Sequence, residues 1–174
     1  MALLFRKIRV ESWRDEDPAW VSPTETIADR LYDLKTKKGT LSFYRVSDDL
    51  SDLVRIASAI AMTANEFQHV HYILIDDELL RQDGIMLSSA PQAGTTPDKV
   101  VNDKHIDVEE LTGSGLAIVA RIMQKGRKRL DFVSQEEIRK TCVQLVKLGE
   151  IQVKKITQPS IKKTLEELLI TGTE

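Results

Sequence analysis

The stretch VHYILIDDE at residues 70–78 contains the clearest strand of the chain and the acidic residues that follow it. Val70 to Ile75 is apolar on both alternating faces apart from His71, which is typical of a strand covered on two sides. The preceding stretch, Leu50 to Ala64, places its apolar residues at the 3.6-residue period of a helix. Together these neighbours predict a central strand with a helix packed against its sheet.

Shorter segments on both sides continue the alternation of strands and helices. Their content of β-branched and aromatic residues predicts strands at 3–10, 41–46, 130–133 and 151–156. Capping residues, prolines and apolar periods predict helices at 22–39, 116–124, 134–148 and from Pro159 onward. The expected fold class is therefore α/β or mixed α+β, with helices packed on a sheet of four to six strands.

The length of the chain favours one domain. Its 174 residues are few for two independent domains of about 100 to 150 residues each. We therefore expect residues 1–174 to form a single compact domain. Residues 88–104, SSAPQAGTTPDKVVNDK, hold two prolines and show no sustained period, so they are predicted to form a long mobile loop.

Composition bears on the cellular compartment. No apolar run approaches the roughly 20 residues that span a bilayer, and basic residues follow a very brief apolar run in MALLFRKIRV, the reverse of a signal peptide. The single Cys142 excludes an internal disulfide and lies on an apolar helical stripe, so it is interpreted as a core residue. We expect a cytoplasmic protein without a membrane partner.

The net charge of −2 conceals an uneven distribution of charged residues. Residues 1–120 carry 13 basic and 20 acidic residues, a balance of −7, whereas residues 121–163 carry 12 basic and 4 acidic, a balance of +8. The basic segment 121–163 could attract an acidic protein or nucleic acid. Its candidate partner-binding or nucleic-acid-binding residues are Lys125, Arg127, Lys128, Arg129, Lys140, Lys147, Lys154 and Lys155.

The stretch from Ser134 to Val153 resembles the last helix and first wing strand of a winged-helix domain. The resemblance covers these 20 residues. It implies a helix that enters the major groove of DNA. The sequence departs from that family between Gln124 and Ser134, where too few residues remain for a middle helix.

Two tryptophans occur in the polar connection ESWRDEDPAWVSP. Large aromatic side chains in a loop either pack onto the core or anchor a partner, and interfaces are enriched in tryptophan. Trp13 and Trp20 are therefore candidate partner-binding residues, with core packing of at least one the favoured alternative.

Asp76 and Asp77 give the sharpest indication of an enzyme. Clustered carboxylates at the carboxyl end of a strand can hold Mg²⁺ for phosphate chemistry. The favoured alternative is that they cap the following helix. His69 and His71 have the spacing of joint metal ligands but no local third partner. We therefore expect no catalytic residues, no metal and no cofactor.

Three functional hypotheses follow from these features. The first is a non-catalytic accessory or adaptor subunit of a larger protein assembly, because opposite charges and loop tryptophans occur without a complete catalytic set. The second is a nucleic-acid-binding module that uses the basic segment 121–163 for weak binding. The third is a metal-dependent phosphodiester or nucleotide enzyme centred on Asp76 and Asp77.

Overall fold

A six-stranded sheet lies at the centre of the molecule, in the order β4-β5-β2-β1-β3-β6. The computed structural model describes residues 2–13, 30–34, 40–109, 111–126 and 131–171. Every pair of neighbouring strands is antiparallel. The strands are β1 (Leu3–Lys7), β2 (Leu41–Val46), β3 (Val70–Asp76), β4 (Leu87–Ser89), β5 (His105–Val108) and β6 (Asp131–Val133). The mixed α/β fold class expected from the sequence is confirmed.

Helices connect the strands and cover both faces of the sheet. They are α1 (Leu53–Ala61), α2 (Asp77–Gln82), α3 (Lys99–Asn102), α4 (Gly113–Gly126), α5 (Gln135–Lys147) and α6 (Pro159–Thr171). Short 3-10 helices occur at Val10–Trp13, Pro91–Ala93 and Val153–Lys155. Of the helix predicted at 22–39, only residues 30–34 are described, and residues 30–33 are helical.

Two hydrophobic cores lie on opposite sides of the sheet, because successive side chains of a strand face opposite ways. Phe5 of β1 belongs to the first core, which includes side chains of α1, α5 and α6. Its neighbour Leu4 belongs to the second core, which includes side chains of α2 and α4. The sheet therefore separates α5 from α4, which decides how the basic residues are distributed.

Several predicted strands require correction. Val70 to Ile75 forms β3 and has neighbours on both sides, but β1 and β2 hold the two central positions. The sequence interpretation missed β4 and β5. Residues 151–156 were predicted to form the last strand, yet Val153–Lys155 is a 3-10 helix. The wing strand implied by the winged-helix resemblance is therefore absent from these residues, although the helix before it is present.

Residues 88–104, predicted to form a mobile loop, contain several short elements. They include the end of β4, the 3-10 helix Pro91–Ala93 and α3. The mobility of this segment stays a prediction. None of the helices in the described ranges is both long and apolar enough to cross a bilayer.

Candidate partner-binding groove

The basic residues of segment 121–163 are divided between the two faces of the sheet. Lys125 is exposed at the end of α4, next to the second core. Lys140 and Lys147 are exposed on α5, which packs on the first core. Lys154 and Lys155 are exposed in the 3-10 helix that follows α5. Arg127, Lys128 and Arg129 lie outside the described residues. The structure therefore does not bring all the described basic residues to one surface.

The two candidate tryptophans have different outcomes. Trp13 is fully buried in the second core, and its indole N–H donates a 2.7 Å hydrogen bond to Asp33 Oδ2. The prediction that Trp13 anchors a partner at the surface is therefore wrong, because Trp13 packs in the core, as the alternative expected. Trp20 lies outside the described residues.

Local sequence signals mark the start and the end of α5. The Ser134 hydroxyl accepts a hydrogen bond from the Glu137 backbone N–H at 3.2 Å, and the Glu137 carboxylate accepts one from the Ser134 backbone N–H at 3.1 Å. This capping box satisfies two backbone donors at the helix start. At the other end, Gly149 adopts a φ of 74°, a left-handed conformation that ends helices readily. Ile138, Cys142 and Leu145 form the buried stripe between these ends.

A groove of about 660 Å³ runs between α5 and α6. Its apolar lining residues are Val143, Leu148 and Leu168, and Leu148 is 62% exposed. Arg139, Lys140 and Lys147 also line it, and Glu136 is the one carboxylate among the lining residues that the structure describes. The groove therefore combines an exposed apolar surface with a net positive charge.

Two cations of the groove are available to a ligand. Glu136 pairs with Lys140 at 2.8 Å, and the hydrogen bond between them lowers the pKa of Glu136 and raises that of Lys140. Within the described part of the chain, neither Arg139 nor Lys147 has a carboxylate partner. Arg139 Nε is moreover buried without a hydrogen-bond partner.

Sequence reasoning identified only part of this groove. Lys140 and Lys147 were predicted, whereas the apolar residues and Arg139 were missed. Leu148 fits the helical period of the buried side chains, so the sequence alone could not indicate that it is exposed. Arg139 belongs to the counted basic segment, but its position beside α6 depends on the packing of two helices. The partner-binding roles of all these residues stay predictions.

Asp76 and Asp77 have structural partners. Asp76 caps α2, because its side chain accepts a 2.9 Å hydrogen bond from the Glu78 backbone N–H. Asp77 Oδ1 accepts a 3.0 Å hydrogen bond from the Ala2 backbone N–H, which ties α2 to β1. The rule that places ligand sites at carboxyl ends applies to parallel sheets, and this sheet is antiparallel. The helix-capping interpretation is confirmed for Asp76.

The two histidines near β3 contact Phe132 rather than each other. The ring centroid of Phe132 lies 5.2 Å from that of His69 and 5.4 Å from that of His71. His69 Nδ1 also accepts a 3.2 Å hydrogen bond from the Gln135 backbone N–H at the start of α5. Throughout the described ranges, no cluster of three or more His, Cys, Asp or Glu side chains is placed to hold a metal ion.

Comparisons with known proteins do not assign the chain to a family. No protein-family model, no curated protein and no solved structure matches the chain. Any proposal of function therefore depends on the geometry described above.

Proposed function

We propose that this protein is a non-catalytic accessory or adaptor subunit whose α5–α6 groove binds an acidic, amphipathic helix of a partner protein. The observation that supports the proposal is the combination, in one groove, of exposed Leu148 with the unpaired cations Arg139 and Lys147. Apolar anchors supply most of the affinity of such helix-in-groove complexes, and charges at the rim supply specificity and association rate.

The dimensions of the groove favour a helix of about the same length as α5. Lining residues occur from Gln135 to Leu148, along the whole helix. Thirteen helical residues span about 20 Å. Arg139 and Lys147 are eight residues apart, or about 12 Å along the axis. A partner helix lying beside α5 would meet both with acidic side chains seven or eight residues apart, next to its own apolar stripe.

Nucleic-acid binding is the alternative, supported by four exposed lysines on α5 and the following 3-10 helix: Lys140, Lys147, Lys154 and Lys155. Lysines that face solvent can contact phosphates without sequence preference. The exposed apolar residue Leu148 has no role in such contacts. The acidic protein partner is therefore preferred.

The proposal includes a cytoplasmic location. Its support is the single thiol, which is buried in the first core and has no cysteine to pair with. Proteins of reducing compartments keep their thiols in this form.

The test uses a fluorescent peptide of about 18 residues, or five helical turns, with a leucine stripe flanked by glutamates. A second peptide carries lysines in place of the glutamates. Arg139→Glu combined with Lys147→Glu should lower affinity for the acidic peptide about tenfold, since two favourable contacts become repulsive ones. Leu148→Ser should lower affinity for both peptides. Anisotropy titrations measure each Kd.

The matched control is Lys154→Glu combined with Lys155→Glu, which makes the same change of charge outside the groove. We expect this variant to bind the acidic peptide nearly as well as the parent protein. Equal losses in the two double variants, or no saturable binding of the acidic peptide, would contradict the groove proposal. Tight binding of a DNA duplex, weakened by both double variants and steeply by salt, would support the alternative.

A further inference from the structure

A second, smaller cavity lies where β1 and β2 separate. The two strands pair from Leu3 to Phe5, and beyond that point the Arg6 side chain donates a 2.7 Å hydrogen bond to the Ser42 carbonyl oxygen. The cavity measures about 140 Å³. Its described lining residues include no carboxylate, and they are Arg6, Lys7, Ser42, Tyr44, Ile60, Thr63, Thr95 and Thr96. It shares no residue with the α5–α6 groove.

Three lining side chains are free to donate hydrogen bonds. In the described part of the chain, the Lys7 ammonium, the Tyr44 hydroxyl and the Thr95 hydroxyl have no recorded hydrogen-bond partner. The other hydroxyls are engaged: Ser42 donates to Asp107 Oδ1 at 3.1 Å, and Thr63 donates to the Ile60 carbonyl at 2.7 Å. Burial, followed by the charge of Asp107, raises the pKa of Tyr44 to about 12, so its hydroxyl stays protonated at neutral pH.

The Arg6 guanidinium lies beside the cavity, on the face of the sheet that carries the second core, where it is 5.5 Å from the centroid of the Phe43 ring. The Lys7 side chain faces the other side, like Tyr44, because successive side chains of a strand alternate. Arg6 Nε is buried without a partner, and the recorded hydrogen-bond acceptors of Arg6 are the carbonyl oxygens of Ser42 and Asp33. Burial lowers the pKa of Arg6 to about 10, although the charge of Asp33 partly offsets this effect. Arg6 therefore adds positive charge near the cavity, while its hydrogen bonds go to the Ser42 and Asp33 carbonyls.

The segment that carries Thr95 is held firmly in place. Asn102 Oδ1 accepts hydrogen bonds from the Thr96 backbone N–H at 3.1 Å and from its hydroxyl at 2.7 Å, while Asn102 Nδ2 donates to the Thr96 carbonyl at 2.9 Å. Gly94 lies so close to Asn102 that an added Cβ would be 2.7 Å from its side chain. These contacts fix Thr95 at the edge of the cavity, which preorganises its hydroxyl for a ligand.

We propose that this cavity binds a single phosphate group, either free or at the end of a larger molecule, through Lys7, Tyr44 and Thr95. The volume has room for several water molecules but is small beside the roughly 300 to 1,000 Å³ of sites for drug-sized ligands. Three donors, one of them a cation, match the several acceptor oxygens of phosphate, and the nearby charge of Arg6 adds to the attraction. Asp107 accepts the hydrogen bond from Ser42, and its charge acts on Tyr44, but it is not among the described lining residues of the cavity.

The experiment is a ¹H–¹⁵N NMR titration of the full chain with inorganic phosphate, with phenyl phosphate, and with sodium chloride at matched ionic strength. Saturable shifts of the Tyr44, Thr95 and Thr96 amides are expected with phosphate and not with chloride. Lys7→Gln and Tyr44→Phe should each weaken phosphate binding about tenfold, since each removes one hydrogen bond to a charged group. If inorganic phosphate and phenyl phosphate both bind, the natural ligand is a phosphate at the end of a larger molecule. If only inorganic phosphate binds, the natural ligand is the free ion.

The matched control is Lys99→Gln, which removes an exposed lysine of α3 that does not line the cavity. It should bind phosphate like the parent protein. Thermal midpoints without phosphate identify any variant that fails to fold, and Thr95→Val then serves as a further test at the edge of the cavity. Equal shifts with chloride, no saturation, or equal losses in Lys99→Gln would overturn the proposal.

Discussion

The Arg55 guanidinium on α1 donates hydrogen bonds of 2.7 and 3.1 Å to the carboxylate of Asp98, whose side chain is 1% exposed. The same guanidinium pairs with Glu150, just after α5, at 2.7 Å. Asp98 also caps α3 by accepting hydrogen bonds from the backbone N–H groups of Val100 and Val101. One arginine therefore connects α1, the segment before α3 and the end of α5.

Replacement of this arginine should be strongly destabilising. Arg55→Met keeps much of the side-chain volume but leaves the Asp98 charge buried without its partner, so we expect a loss of about 3 to 5 kcal/mol. Glu150→Gln should cost less than about 1 kcal/mol, because the Glu150 side chain is 40% exposed. Urea unfolding of both variants checks this, and similar midpoints for the two would contradict the central role of Asp98.

Gly94→Ala should destabilise the segment before α3. The added Cβ would lie 2.7 Å from Cβ and Oδ1 of Asn102, too close for an ordinary contact. We expect a loss of about 1 to 3 kcal/mol, as for other overpacked sites. Gly113→Ala is the matched control, because nothing lies within 4 Å of an added Cβ there. Thermal unfolding compares the two, and an unchanged midpoint for Gly94→Ala would show that Asn102 moves freely.

Asp52 should contribute to stability above acidic pH. Partial burial, the largest single influence, raises its pKa, but hydrogen bonds from Lys104 and Ser47 together outweigh it and hold the pKa below its ordinary value. A carboxyl with a lowered folded pKa stabilises the protein above its unfolded pKa of about 3.9, and this contribution disappears as the pH falls through the folded pKa. Asp52→Asn should therefore be less stable than the parent at neutral pH.

The difference between parent and Asp52→Asn should shrink as the pH falls from about 5 to 2. Urea midpoints across that range measure it. Asp103→Asn provides the comparison, since the Asp103 side chain is 54% exposed and pairs with exposed Lys99. A stability difference for Asp52→Asn that does not change with pH would refute the role of the Asp52 charge.

The thiol of Cys142 should be unreactive in the folded protein. Burial raises the pKa of this thiol to about 12. Very little thiolate, the reactive form, is therefore present at pH 8. We expect a disulfide reagent to label Cys142 only as fast as the protein opens, and at once in urea. Rapid labelling without denaturant would place the thiol at the surface.

The correctly predicted elements have strong local signals. Residues 41–46 are rich in residues that favour strands, and they form β2. The start of α5 is marked by the Ser134–Glu137 capping box, which can be recognised from the sequence alone. Pro159 likewise marks the first residue of α6. Such signals depend on neighbours a few residues apart, so they can be interpreted without the fold.

The missed strands lack such local signals. β5 has the sequence HIDV, in which His105 and Asp107 are polar yet buried. Their burial is possible because Ser42 and the Ala90 carbonyl, which are distant in sequence, are hydrogen-bonding partners. Conversely, residues 151–156 alternate like a strand, but α5 ends at Gly149 and the chain turns directly toward α6. The α5–α6 groove depends on the same long-range packing.

The central position of β1 has a consequence for synthesis of the chain on the ribosome. Both neighbours of β1 are made later, and β3 ends about 70 residues after it. At a translation rate of about 5 to 20 residues per second, β3 is completed roughly 3 to 14 seconds after β1. The second edge of β1 can be paired only then. During that time Leu4 and Phe5 have no sheet to cover them. The fold of β1 is therefore completed late in synthesis, although β1 is among the first elements to be made.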